Sequence, residues 1–236
     1  MKHKKGKVYI IGAGPGDPGL ITVNGLKVLQ KADCILYDFL SNLKLLDYSK
    51  KSCRKICVGK RDGLHLKKQT QINKLLLKAS RKYAMVVRLK GGDPFVFSRG
   101  YEEIKYLKEK GVYVEIIPGI TSAFAGPESF GLPLTIKNKI SSLAVVTGRK
   151  HDKEAPIDAP SCDTLIYLMA VGNISNVVKA LRKSGRSDNM PCAFIERATY
   201  DNARLVRATI GSVVKKVTEA KLVPPAVLIV GKALKT

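Results

Sequence analysis

"YIIGAGPGDPGLIT", Tyr9 to Thr22, runs from a short apolar stretch into a glycine corner and out towards a helix start. A strand, a tight turn and a helix in that order form the unit from which α/β sheets are wound. Glycines at the turn let another backbone or a ligand come close. A dinucleotide fingerprint needs glycine at three set places, the last allowing helix and strand to pack. Gly12 and Gly14 fit, but Asp17 stands at the third place. Pro15 and Pro18 fix φ and remove backbone donors where a phosphate-binding helix would begin. The Asp17 carboxylate would also repel a pyrophosphate. A helix is expected only from near Thr22, a residue type suited to the N-cap. The corner reads either as a ligand-binding sheet edge not built for phosphate or as a tight turn with no ligand.

Working outward, the same rhythm repeats. "KVYIIG", "DCILYD", "KICVG", "AMVVRL" and "VYVEII" are strand-sized apolar runs. Between them "TVNGLKVLQKA", "QTQINKLLLKASRKY" and "RGYEEIKYLKEKG" carry apolar residues at helical spacing. The alternation predicts an α/β fold with a mostly parallel sheet and helices on its faces. After Pro118 the texture changes to "PGITSAFAGPESFGLPLT", rich in glycine, proline and small residues. "SLAVVTG", "DTLIYLM", "MPCAFIE", "RLVRATIG" and "PAVLIVG" then give five more strands, several joined by short loops. Two α/β domains are therefore expected, residues 1–117 and 118–236.

Composition excludes some functions and leaves others. In 236 residues no apolar run reaches the length of a membrane span, and "AVLIV" near the end is strand-sized. The basic start "MKHKKGK" leads straight into the first strand with no apolar leader, so a cytoplasmic protein is expected. The five cysteines, Cys34, Cys53, Cys57, Cys162 and Cys192, and the three histidines, His3, His65 and His151, form no ligand spacing. No metal is predicted, and the thiols read as reduced and structural. The formal charge of +23 attracts polyanions of any kind, but the lysines are spread along the whole chain. Charge alone does not choose between nucleic acid, an acidic membrane and an acidic small molecule.

Two further corners sharpen the choice. "RLKGGDPFVFSRGYEE", Arg88 to Glu103, follows one strand and precedes a helix, so it lies at the carboxyl edge of the sheet where open α/β folds bind ligands. Gly91 and Gly92 permit close approach, and Asp93 could accept from an amine or hydroxyls. "PGITSAFAGPESFGLPLT" is the third corner. With "VGKR", "VTGR", "TLIYLM" and "PPAVLIVGKAL" in order, these segments resemble the tetrapyrrole methylase family from Val8 to Leu234. Its members are the S-adenosyl-L-methionine (SAM) dependent methyltransferases that build corrinoids and sirohaem.

The resemblance implies the class III methyltransferase fold, two α/β domains with a ligand cleft between them. It implies SAM as cofactor, a cation at sulfur without phosphate, which suits a corner bearing Pro15 and Asp17. It places Pro15, Gly91, Gly92, Asp93 and Val96 at the cofactor, and likewise Thr121, Ser122, Met169, Ala198 and Ala226. Met169 could equally be core packing when read on its own. The family's proton acceptor matches Asp38 and its proton donor Lys60. The implied reaction is two methyl transfers to uroporphyrinogen III, giving precorrin-2, with a later precorrin methylation as the neighbouring reading. An RNA methyltransferase is the reading from another class, raised by the charge. The acetate and propionate rim of such a macrocycle calls for arginine, which binds carboxylates bidentately. Arg99 and Arg149 are favoured among Arg61, Arg88, Arg99, Arg149, Arg197 and Arg204. The resemblance also implies a homodimer, a small-molecule tetrapyrrole partner, and neither nucleic acid nor membrane.

Overall fold

The first glycine corner closes a strand at the centre of a parallel sheet. The structure is a computed structural model that describes residues 6–59, 68–150, 152 and 155–235. It divides the chain into two units, Met1–Thr121 and Ser122–Thr236. In the first, β1 (Lys7–Gly12), β2 (Cys34–Tyr37), β3 (Arg54–Cys57), β4 (Met85–Lys90) and β5 (Val114–Ile117) form one sheet in the order β3-β2-β4-β1-β5. Every pairing in it is parallel. The expected strands are all present, and α1 (Val23–Lys31), α2 (Gln69–Lys82) and α3 (Gly100–Glu109) occupy the helical stretches. Thr22 caps α1, its hydroxyl accepting from Gly25 N at 3.2 Å.

A parallel sheet buried on both faces needs apolar residues at successive positions, which is why these strands read as unbroken hydrophobic runs. Val8, Ile10, Leu36 and Val86 face Ile72 and Leu76 of α2 and Ile104 and Leu107 of α3. Tyr9, Ile11, Ile35, Val87 and Leu89 face the other way, onto Leu29 of α1 and Leu45 in the 3-10 turn Leu43–Tyr48. The two-residue period puts Arg88 and Lys90 in line with Val86, on the face covered by α2 and α3. Two cations thus enter a buried layer at the carboxyl edge.

The second unit holds β6 (Leu143–Thr147), β7 (Thr164–Leu168), β8 (Pro191–Glu196), β9 (Arg204–Thr209) and β10 (Ala226–Gly231), ordered β6-β7-β10-β8-β9. Here only β6 and β7 run parallel; the other pairs are antiparallel. β10 is inserted between β7 and β8, so the crossover through α5 (Ile174–Lys183) is not a neighbouring βαβ unit. Leu165, Tyr167, Phe194 and Leu228 pack on Val177 and Leu181 of α5 and Val213 of α6 (Val213–Glu219). Ile166, Ile195, Val227 and Ile229 pack on Ala123 of α4 (Ser122–Glu128) and on Leu132. All five cysteines are free thiols. No helix among the described residues is long and apolar enough to cross a membrane.

Candidate active site

In the first unit three neighbouring strands, β4, β1 and β5, run into glycine corners that touch through their backbones. A Cβ on Gly12 would lie 2.4 Å from Gly119 Cα and 2.7 Å from Gly92 O; one on Gly119 would lie 2.3 Å from Gly92 O. No side chain fits there without moving main chain. Gly92 N donates to Gly14 O at 2.8 Å, and Gly14 N returns a bond to Gly92 O at 3.3 Å. Both glycines have positive φ, 79° at Gly14 and 67° at Gly92, which glycine adopts without penalty. A Cβ at Gly92 would meet nothing within 4 Å among the described residues, so space lies open beside this backbone. Pro15, partly buried, follows directly on Gly14.

Two aspartates here serve the main chain. Asp17 accepts from Gly19 N at 2.7 Å and caps a 3-10 turn, Pro18–Leu20, while α1 starts only at Val23. Asp93 was expected to accept from a ligand. Its Oδ1 instead accepts from Phe95 N at 2.8 Å and its Oδ2 from Gly119 N at 3.2 Å, tying the β4 corner to the β5 corner. Each carboxylate oxygen keeps a second lone pair, so a ligand donor is still admitted. Val96 lies partly buried in the same loop, and Thr121 two residues beyond Gly119.

Asp38 follows β2 and is brought to this edge. Its Oδ2 accepts from Arg88 Nη2 at 3.1 Å; its Oδ1 faces Ser41 Oγ at 3.3 Å and Gly91 N at 3.4 Å. The side chain keeps 23% exposure. A Cβ on Gly91 would sit 2.4 Å from Leu40 Cβ, so the β4 corner is pressed against the loop after Asp38. Lys60 and Arg61 lie outside the described residues. The loops also expose Leu40, Phe95 and Phe97. Phe97 has φ of 47°, a conformation that costs a bulky residue roughly 1–3 kcal/mol. The signal for these side chains in the sequence is two aromatics in a glycine-rich loop.

The arginines fall into distinct settings. Arg88 is buried: its guanidinium reaches Asp38, Glu103 and Leu89 O, and so is spent inside the unit rather than offered to a substrate. Arg99 is exposed and forked onto Glu102 at 2.9 and 2.7 Å, which raises its pKa further. Arg149 is exposed just after β6. Arg197 lies over the Tyr200 ring at 5.1 Å, and Arg204 is ion-paired with the buried Glu196.

In the second unit the sheet register gathers three candidates at one edge. Leu168 pairs with Val227, and Ala226 with Glu196, so Met169, Ala226 and the Arg197–Ala198 turn share the end of β7, the start of β10 and the end of β8. Met169 is 47% exposed and has φ of 58°. It is therefore not core packing. Ala198 is buried, and a Cβ on Gly126 of α4 would approach its Cβ to 3.3 Å. Ser122 opens that helix.

The chain matches the Tetrapyrrole (Corrin/Porphyrin) Methylases over residues 7–214. It belongs to the tetrapyrrole methylase family. It is 45% identical over 234 residues to the uroporphyrinogen-III C-methyltransferase of Methanocaldococcus jannaschii, covering 97% of each chain. The uroporphyrin-III C-methyltransferase of Thermus thermophilus, solved in complex with S-adenosyl homocysteine (SAH), superposes with a TM-score of 0.81 at 36% identity, over 98% of this chain and 94% of that one. A cobalt precorrin-4 methyltransferase of cobalamin biosynthesis superposes with a TM-score of 0.84 at 31% identity, over 97% and 95%. This tetrapyrrole methylase is an α/β enzyme that uses SAM. Its own residues fit that cofactor: the edge lacks a phosphate-binding helix start, and the backbone at Gly92 adjoins open space.

Proposed function

We propose that this methylase transfers two methyl groups from SAM to carbon atoms of uroporphyrinogen III, giving precorrin-2. The observation that carries this reading is the Asp38 carboxylate. It is fixed from two sides by Arg88 and Gly91, yet 23% exposed beside a glycine edge unsuited to phosphate. SAM supplies an electrophilic methyl group on a sulfonium. An electron-rich pyrrole carbon must meet it in line, and each transfer releases one proton net, so that any proton returned as the conjugation rearranges is matched by a further one lost. Asp38 takes up the proton released. Lys60, assigned by its motif alone, returns one. A well-placed acid or base contributes roughly 10²–10⁴-fold. Alignment of the reacting atoms contributes more.

Family motifs assign Pro15, Gly91, Gly92, Asp93, Val96 and Thr121 to the cofactor, with Ser122, Met169, Ala198 and Ala226. Gly92 suits this, since a Cβ there would stand in open space that glycine leaves free. Arg99 and Arg149 are assigned to the substrate's carboxylates; both are exposed. The +23 charge suits a polyanionic macrocycle. A later precorrin as substrate is the second reading, supported by the precorrin-4 methyltransferase of the same fold. The whole-length identity to uroporphyrinogen-III C-methyltransferases favours the first. The reading extends to a cytoplasmic homodimer, for which sedimentation should give twice 25.8 kDa.

Incubation with uroporphyrinogen III and SAM tests the assignment. A product carrying two added methyl groups is expected. Protein that binds SAH but leaves uroporphyrinogen III unchanged, and methylates a precorrin instead, would overturn it in favour of the second reading.

A further inference from the structure

Beneath Asp38 lies a chain of charges that the reaction as described does not use. Glu103 is completely buried on α3, at a position that Ile104 and Leu107 mark as the inward side of the helix. Its Oε1 accepts from Arg88 Nε at 3.2 Å and from Gln69 Nε2 at 3.1 Å, and lies 3.6 Å from Lys90 Nζ. Its Oε2 has no hydrogen-bond partner among the described residues. Arg88, on β4, spans from Glu103 to Asp38 and also donates from Nη1 to Leu89 O at 2.8 Å. Burial lowers the pKa of Lys90 and the nearby Arg88 lowers it further, while Glu103 opposes both.

Stability alone does not account for this arrangement. Desolvating ions in a core is expensive, and well-packed apolar residues often replace buried pairs at no loss. An unpaired buried carboxylate oxygen adds a further penalty. What the network holds in place is, among the described residues, its one accessible charge. Side-chain exposure is 0% at Glu103, 4% at Arg88 and 7% at Lys90, but 23% at Asp38. The guanidinium is planar and its donors on both sides are engaged, so it cannot swing. With Gly91 N on the opposite oxygen, the Asp38 carboxylate is fixed in orientation.

We infer that Arg88 is a positioning residue for Asp38, and that Glu103 acts through Arg88 to set that position. The inference rests on the reading of Asp38 as the proton acceptor. Double-mutant cycles separate the two claims, because a residue that acts only through another costs nothing once that other is gone. Single-turnover methyl transfer and SAH affinity would be measured for R88M, R88K and E103Q, each in the wild-type and the D38N background. In the wild-type background R88M should lower the rate about 100-fold. E103Q, which keeps the shape and removes the charge, should lower it about tenfold through misplacement. R88K should recover only part of the loss, lacking the fork. In the D38N background none should lower the rate further, with SAH affinity unchanged throughout. Should R88M not fold, E103Q carries the same comparison. Losses of equal factor in both backgrounds, or wild-type rates in R88M and E103Q while D38N is impaired, would overturn the inference. Wild-type rates in D38N would instead overturn the reading of Asp38 on which it rests.

Discussion

The candidate residues of the two units stand on sheet edges of opposite construction. In the first, β4 carries Arg88 and Lys90 into a layer where Glu103 and Asp38 answer them, and the corners around these charges are bare glycine backbone. In the second, the candidates at the edge, Met169, Ala198 and Ala226, are small or apolar, and the charges beside them, Glu196 and Arg204, are paired with each other. What shapes that edge is backbone, with positive φ at Met169, Arg197 and Thr199. One edge carries a charge network with an accessible carboxylate; the other is shaped mainly by backbone. That division is physically reasonable for methyl transfer from a cation. A fixed carboxylate belongs where protons move, whereas a pocket for an uncharged ring gains from apolar walls.

Substitutions can break this contrast in a definite order. G119A should be the most damaging. Its methyl would fall on Gly92 O and the Gly12 backbone, which cannot yield as a side chain can, at a cost of about 3 kcal/mol in denaturant unfolding. D93A removes the carboxylate that joins the β4 and β5 corners through two backbone N–H groups. It should cost about 2 kcal/mol and weaken SAH binding about tenfold by calorimetry. A198L should cost less, about 1–2 kcal/mol, because α4 can shift a little where Gly126 leaves 3.3 Å. If A198L instead proved worse than G119A, the second edge would be the more rigid and the contrast would be reversed.

The smallest effect is one of pH. Burial pushes the Cys192 thiol from 9.0 up to about 12. In the unfolded chain this thiol ionises above pH 9, while the folded protein retains the proton. The folded state then binds more protons, so stability is complete below pH 9 and falls above it. The slope is at most about 1.4 kcal/mol per pH unit for one group. Melting temperatures of C192A should fall less steeply than those of the wild type between pH 9 and 11.

The strands were legible because valine and isoleucine runs declare themselves, and Thr22 announced α1 by its capping chemistry. Strand direction in the second sheet was not legible. It depends on β10 entering between β7 and β8, a pairing that no local pattern encodes. The short α4 was also hidden, being "SAFAGPE" with Gly126 and Pro127 inside it. At the site, Asp38 and the glycine corners could be found by motif, but Glu103 could not. "RGYEEIKYLKEKG" shows apolar residues at helical spacing, but Glu103 is one of two adjacent glutamates and only the phase shared with Gly100, Ile104 and Leu107 turns it inward. Arg88 stands among the six arginines near motif corners, and nothing in its motif tells it apart from a substrate contact. The strand's alternation instead aims it at α3.

D38N tests the role of Asp38 with the least disturbance, since the amide keeps the carboxylate's shape. Single-turnover transfer from SAM to uroporphyrinogen III should fall by roughly 10²–10⁴-fold while calorimetry finds SAH bound as tightly as by the wild type. A D38N protein that transfers methyl groups at the wild-type rate would contradict it.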